Sequence, residues 1–417
     1  MILMTKPSPA TKGKRIAKCT FCDKSQEYVK KLVSGPGKSF ICNECVDLFA
    51  HMLEDIDTDI QVAGKHAIPT PMEIHQDLNE FVIGQEDAKK TLAVAAYNHY
   101  KRITLLQEGS KTKVQKSNIL ILGPSGTGKT HLAQTMAKLL KVPFAIADAT
   151  TLTEAGYVGE DVESVLHKLL LAADFDIEQA QRGIVFIDEI DKISRSTGGT
   201  SNRKDVGGES VQQALLKMIE GTAASVPRDG GHKRSETNLI TIDTTNILFI
   251  CGGAFDGINK IIDQRLNKKA IGFGATLNST ADNVDIAGQV DTEDLQKYGL
   301  IPEIIGRLPI IVSLSPLGEG DLVSILTEPK DAIIEQYKHL LEIDGVTLEF
   351  TDDAITAIAK QAIARKTGAR GLRTIIEGFM KDIMYEIPSK KRINKIIITK
   401  ETVTDKKSPK ISYKRRG

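Results

Sequence analysis

The chain has 417 residues, 41% hydrophobic and 26% charged, a globular composition too long for one ordinary core. Its 55 basic and 54 acidic residues leave a net charge of +1, which gives no support to a sequence-independent grip on nucleic acid, although local patches remain open. No apolar run approaches the ~20 residues of a spanning helix, so no membrane partner is expected.

Residues 1–16 form a short, polar, basic leader without the apolar core or cleavage site of a secretion signal, and read as a disordered tail. Residues 17–52 hold four of the five cysteines. Cys19-x-x-Cys22, nineteen intervening residues, then Cys42-x-x-Cys45 is the spacing of a tetrahedral four-cysteine zinc site. Each CxxC sets two thiolates on one tight turn, and Zn2+ joins the turns. The window is too poor in apolar residues to fold unaided, so the metal supplies folding energy. A disulfide pair is the rival reading. A redox role suits a matched pair of motifs less well, and four thiolates leave no open position for catalysis. Cys251, at the end of an apolar strand, reads as a small buried residue. Residues 53–66 are acidic and then polar, a linker ahead of Pro69 and Pro71.

From 67 to 316 strands alternate with helices, the strands falling at 119–122, 143–148, 184–188, 247–251 and 310–314. Such alternation predicts a parallel sheet between helices, with ligand at the strand carboxyl ends. The first strand runs into GPSGTGKT at 123–130. Gly123, Gly126 and Gly128 allow a tight turn in which the backbone N–H groups of this loop, Pro124 apart, with Ser125 and Thr127 among them, cradle phosphate. Lys129 brings a compact charge to the β- and γ-phosphates, and Thr130 offers a hydroxyl to Mg2+. A helix beginning near His131 points the positive end of its dipole at the anion. The third strand ends in two carboxylates: Asp188, placed to hold the Mg2+ shell, and Glu189, placed to polarise an attacking water. The two segments mark an ATP site, and with the leader they point to the cytoplasm of a bacterial cell.

GYVG at 156–159 lies between a strand and an amphipathic helix carrying Val162, Val165, Leu166, Leu169 and Leu170. Gly156 and Gly159 give the loop hinge freedom, and Tyr157 and Val158 set large apolar groups at its tip. An exposed aromatic there implies contact with something else, although the loop could fold back on its own core. Ile271, Gly272 and Phe273 sit in a long polar insertion, where they either face a partner or tuck against the domain. Pro316 and Gly318 mark a break. Residues 317–400 predict a smaller, mainly helical α/β domain: helix 321–341, strand 346–350, helices 352–365 and 371–386, strand 395–399. Residues 401–417 read as a frayed basic tail.

The four-cysteine module, GPSGTGKT, GYVGED at 156–161, VFIDEID at 185–191, IGFG at 271–274, IPEIIGRLP at 301–309 and GARGLR at 368–373 resemble, in this order, the ClpX family of AAA+ ATPases. The resemblance spans the chain from Cys19 to about Thr399. It implies an AAA+ large domain, a small domain and a homo-hexameric ring that unfolds proteins at the expense of ATP and threads them into a partner peptidase, ClpP. Chaperone-like remodelling without the peptidase is also implied, as are tagged or unfolded protein substrates and adaptor proteins. By the same resemblance, Tyr157 and its neighbours grip the polypeptide, with a second pore loop within 196–208. Arg307 is the arginine finger reaching the adjacent subunit's ATP, Arg370 contacts nucleotide in its own subunit, and Val82 and Ile83 touch adenine. Ile271-Gly272-Phe273 docks into the peptidase. For either arginine the local alternative is a surface ion pair, and for Val82 and Ile83 core packing. Arg228 and His232-Lys233-Arg234 keep the positive charge of the family's entrance loop but change its order, which leaves tail specificity open. The strand end CGGAF offers no polar side chain for a nucleotide sensor. Two other classes stay open: a nucleic-acid motor, with the zinc module as contact, and a scaffold that binds ATP only to assemble. No peptidase motif is present, so proteolysis would come from the partner.

Overall fold

Near-continuous apolar runs build the centre of the molecule. In the computed structural model ILIL, IVFID and LFICGG form the strands Ile119–Leu122, Ile184–Asp188 and Leu248–Gly253, buried almost throughout. Runs of this kind belong to strands covered on both faces. The structure describes residues 17–25, 28–35, 39–46, 48–49, 68–110, 112, 114–153, 160–194, 208–228, 239–269, 286–390 and 393–413. Two units are distinguished, Met1–Ala67 and Ile68–Gly417.

In the second unit five parallel strands lie in the order Ile310–Ser313, Ile119–Leu122, Leu248–Gly253, Ile184–Asp188, Phe144–Asp148. Alternate side chains feed two cores. Ile119, Ile121, Phe186 and Ile250 pack with Ile74, Leu78, Leu92 and Met136 from the helices Pro71–Asn79, Glu86–Gln107 and Lys129–Leu139. Leu120, Leu122, Ile187 and Phe249 pack on the other face with Val165, Leu169, Leu215 and Ile304 from Ser164–Ala172, Gly208–Glu220 and Pro302–Arg307. Burying a side chain such as Phe186 contributes about 1.5–3 kcal/mol. Because the first strand in the chain lies between the fourth and fifth, the loop that follows it opens at a point where the strand order reverses.

Helix Pro71–Asn79 is the first helix of the second unit. Thr70 and Glu73 form a reciprocal capping box, with Pro71 in the first turn. A separate core underlies the C-terminal part, where Thr347–Phe350 pairs in parallel with Ile393–Ile398 and helices Asp352–Ala364 and Gly368–Glu386 pack on it.

Three expectations need correction. The single helix 321–341 is two, Glu319–Thr327 and Ile333–Ile343, because Pro329 falls between them and lacks the N–H to continue a helix. The basic tail is not frayed over its described length: it forms helix Lys400–Thr404 and strand Lys410–Tyr413, antiparallel to Ile393–Ile398. A lysine-bearing edge strand suits that position. The helix after the glycine-rich loop begins at Lys129, two residues before His131, so Lys129 and Thr130 lie in its first turn.

In the first unit, Leu32–Ser34 and Phe40–Cys42 form a short antiparallel hairpin. Cys19, Cys42 and Cys45 are buried there, with Val29, Leu32 and Ile41 packed against them.

Candidate functional site

The loop at 123–130 is held from three sides. The Gly123 N–H donates to the Gly253 carbonyl at 3.2 Å, tying the loop to the neighbouring strand. Thr127 Oγ1 donates to the Pro124 carbonyl at 2.9 Å. Lys129 Nζ reaches back to the Gly123 and Pro124 carbonyls at 2.6 and 3.1 Å. Gly128, at φ +95°, caps helix Lys129–Leu139 without a side chain, so no capping group competes for the first-turn N–H donors. Burial holds the Lys129 pKa below the usual lysine value, Asp188 and Asp191 oppose that shift, and Arg370 adds to it.

Across the loop, Thr130 Oγ1 donates to Asp188 Oδ2 at 3.0 Å, joining two groups 58 residues apart. The other Asp188 oxygen accepts from the Glu189 N–H at 2.9 Å. Glu189 is exposed and sits in the left-handed region at φ +57°. That conformation costs a non-glycine residue about 1–2 kcal/mol. Asp191, missed by the sequence reading, is buried, accepts from the Ala254 N–H at 3.2 Å and pairs with Lys192 at 3.2 Å. Its signal was the third carboxylate of VFIDEID. The bare strand end CGG also has a cause. A Cβ at Gly252 would lie 2.6 Å from the Phe186 ring, and one at Gly253 would lie 2.7 Å from Asp191 Oδ1.

The C-terminal part meets the same loop. The Ala369 N–H donates to the Gly126 carbonyl at 3.0 Å. Gly126 has φ +80°, and a Cβ there would stand 2.5 Å from the Thr367 carbonyl oxygen. Helix Gly368–Glu386 therefore starts against the loop, with Arg370 exposed in its first turn. Val82 is buried and Ile83 half-buried, with Val82 in the core that also holds Leu132 of the helix after the loop. His131 Nε2 lies 3.4 Å from the Phe81 carbonyl, which brings this segment to the same helix. Lys330 pairs with Glu80 at 2.5 Å, and Gln85 exchanges two hydrogen bonds with Ser315.

Arg307 is not gathered in. It ends helix Pro302–Arg307 with its side chain exposed, and both Nε and Nη2 lie 2.8 Å from Glu220 Oε1. Among the described residues no hydrogen bond or ion pair joins it to the 123–130 loop, Asp188 or Glu189. Gly156, Tyr157, Val158, Gly159, Ile271, Gly272, Phe273, residues 195–207 and the 232–234 triplet lie outside the described residues. Their flanks are ordered as expected: Val162, Val165, Leu166, Leu169 and Leu170 are buried. Arg228 ends one arm of the hairpin Ala223–Pro227 with Leu239–Asp243, and its guanidinium lies 5.9 Å from the Phe175 ring centre.

In the first unit the four cysteine sulfurs lie within 4.8 Å of one another. Cys19 and Cys45 are 3.9 Å apart, Cys22 and Cys42 3.6 Å. A tetrahedron with Zn–S bonds of about 2.3 Å has sulfur separations of about 3.8 Å, whereas a disulfide needs about 2.05 Å. The donor set fits zinc, and all four thiols are free. Burial disfavours ionisation of Cys19, but N–H groups of Phe21, Cys22 and Cys42 outweigh it and bring the thiol down to about 6. Cys251 is buried, and burial pushes its thiol up to about 12, as for an inert core residue.

Three family models match the chain: an AAA domain (Cdc48 subfamily) over residues 114–311, the ClpX C4-type zinc finger over 17–55, and the C-terminal D2-small domain of ClpB protein over 317–400. The ATP-dependent Clp protease ATP-binding subunit ClpX of Treponema denticola is 53% identical over 396 residues, covering 94% of this chain and 95% of that relative. The chain belongs to the ClpX family.

As a ClpX-family AAA+ ATPase it uses ATP with Mg2+, and its four-cysteine module suits Zn2+. No helix among the described residues is long and apolar enough to cross a membrane. The tight approach at Gly126 gives one expected outcome. Gly126→Ala places a side chain at a left-handed φ and against the Thr367 carbonyl, so ATP affinity should fall at least about tenfold by nucleotide titration. Unchanged affinity would show that the loop does not need this approach.

Proposed function

We propose that the chain assembles into a homo-hexameric ring that unfolds and translocates proteins, delivers them to a ClpP peptidase, and remodels substrates when the peptidase is absent. The reading is carried by one observation. The glycine-rich loop, the Asp188–Glu189 strand end and the start of the Arg370 helix converge, so nucleotide held there touches two separate cores. A change at the γ-phosphate then shifts one core against the other. We place the zinc-binding domain at 17–52, the large domain at 67–316 and the small domain at 317–400.

In this mechanism the N–H groups from Ser125 to Thr130 and the helix dipole would hold the phosphates, while Val82 and Ile83 would line the adenine. Thr130 and Asp188 would hold the Mg2+ shell, and the ion would offset phosphate charge. Glu189 accepts a proton from, and aims, the attacking water. As charge grows on the transferred group, Lys129 stabilises it from its own subunit and Arg307 from the next. Arg370 reads the phosphates in cis and moves the small domain when they change. Tyr157, with Gly156, Val158 and Gly159, carries that motion to a threaded polypeptide, and Ile271, Gly272 and Phe273 anchor the peptidase. The zinc module receives substrates and adaptors. The setting is the bacterial cytoplasm.

The test combines the protein, ATP, a ClpP ring and a stably folded protein with an exposed C-terminal tail. ATP-dependent degradation is expected. Tyr157→Ala should slow it at least about tenfold while ATP hydrolysis persists, and Phe273→Ala should abolish degradation but keep unfolding. Brisk ATP hydrolysis without disruption of any tagged, folded protein would refute the proposal.

A further inference from the structure

Glu220 is the last residue of helix Gly208–Glu220, which begins directly after residues 195–207. Its Oε1 accepts from both Nε and Nη2 of Arg307, each at 2.8 Å. The two backbones are clipped together as well. Asn118 is buried, and its Nδ2 donates to the Arg307 carbonyl at 3.0 Å and to the Ile219 carbonyl at 3.4 Å. Its Oδ1 accepts from the Phe249 N–H at 3.2 Å, and Lys116 Nζ donates to the same Ile219 carbonyl at 3.2 Å. One buried amide, next to the strand that leads into the nucleotide loop, thus ties the backbone of Arg307 to that of Ile219, the residue before Glu220.

The pair itself is half exposed, with side-chain exposures of 53% for Arg307 and 40% for Glu220, so it adds little to stability. Its consequence is geometric. An arginine gripped through Nε and one terminal nitrogen loses most of its rotamer freedom, while its remaining N–H groups stay free for an incoming anion. We infer that Glu220 is a positioning residue for Arg307, holding the guanidinium extended for the neighbouring subunit's nucleotide. The inference rests on the proposal that Arg307 acts in trans. It also gives helix Gly208–Glu220, which emerges from the 195–207 segment, a direct mechanical hold on the hydrolysis step next door.

The test is steady-state ATP hydrolysis by the full-length assembly, with equal oligomeric state verified by light scattering. Glu220→Ala should lower kcat about tenfold and leave KM within about twofold, the pattern of a group felt in the transition state. Glu220→Gln keeps an acceptor for Nε and should recover much of the loss. In an Arg307→Ala background, Glu220→Ala should add nothing. If Arg307→Ala is slow but Glu220→Ala is normal, or if the two losses multiply, the positioning role is wrong and the trans role of Arg307 stands. If Arg307→Ala is itself silent, both fall.

Discussion

Glu189→Gln should bind ATP as tightly as the parent chain and hydrolyse it at least about 100-fold more slowly, the range lost with a general base. The substitution keeps shape and volume. The features that place residue 189 belong to the backbone: φ +57° after the last residue of the strand, and an N–H donated to Asp188 Oδ1 at 2.9 Å. None of these needs a carboxylate at 189. The Thr130–Asp188 pair at 3.0 Å is also untouched, so the groups proposed to hold nucleotide and ion remain. What is lost is only the acceptor proposed to take the water's proton. Turnover and nucleotide affinity measured on one preparation separate the two effects. Hydrolysis within about threefold of the parent would assign the water to another group, with buried Asp191 the next carboxylate along the chain.

Parts of this molecule were legible because their causes are local. Apolar runs of four or five residues gave the strands, since a strand covered on both faces has no polar alternative. The glycine-rich loop and the cysteine spacing were legible because phosphate and zinc impose fixed backbone demands. What stayed hidden depends on distant partners. Strand Lys410–Tyr413 is held by the pairing of Ile396 with Ile411; Ile411 and Tyr413 suit a strand, but four residues in a basic tail are too short a signal without that partner. The hairpin Ala223–Pro227 with Leu239–Asp243 begins with weak strand formers, and its arms lie well apart in the sequence. Asn118, just ahead of strand Ile119–Leu122, is buried and bonds residues 101, 131 and 189 positions away. Arg307 could be read as a finger only through its family pattern. Its partner Glu220, 87 residues earlier, carries no such pattern.

Stripping zinc with a chelator, or substituting Cys42→Ser, should unfold the first unit while leaving ATP hydrolysis by the second within about twofold. The described hydrophobic cluster of that unit is three cysteines with Val29, Leu32 and Ile41 beside them. Its hairpin has three residues per strand, and such a hairpin is marginal in water. Phe21, Tyr28 and Leu48 are exposed, and the edge-on contact of Phe21 with Phe49, 5.3 Å between ring centres, is a surface one. Without metal, four sulfurs crowd within 4.8 Å, and burial pushes the Cys45 thiol up to about 12, so the cluster resists becoming four thiolates. Zinc reverses that penalty, and its apparent binding energy of about 10–16 kcal/mol exceeds anything this apolar surface supplies. Hydrogen exchange should therefore show amides between Cys19 and Cys45 losing protection on chelation and regaining it when zinc is restored. Protection that survives in the metal-free protein would mean the fold is carried by contacts other than the ion, and the four cysteines would then need a different explanation.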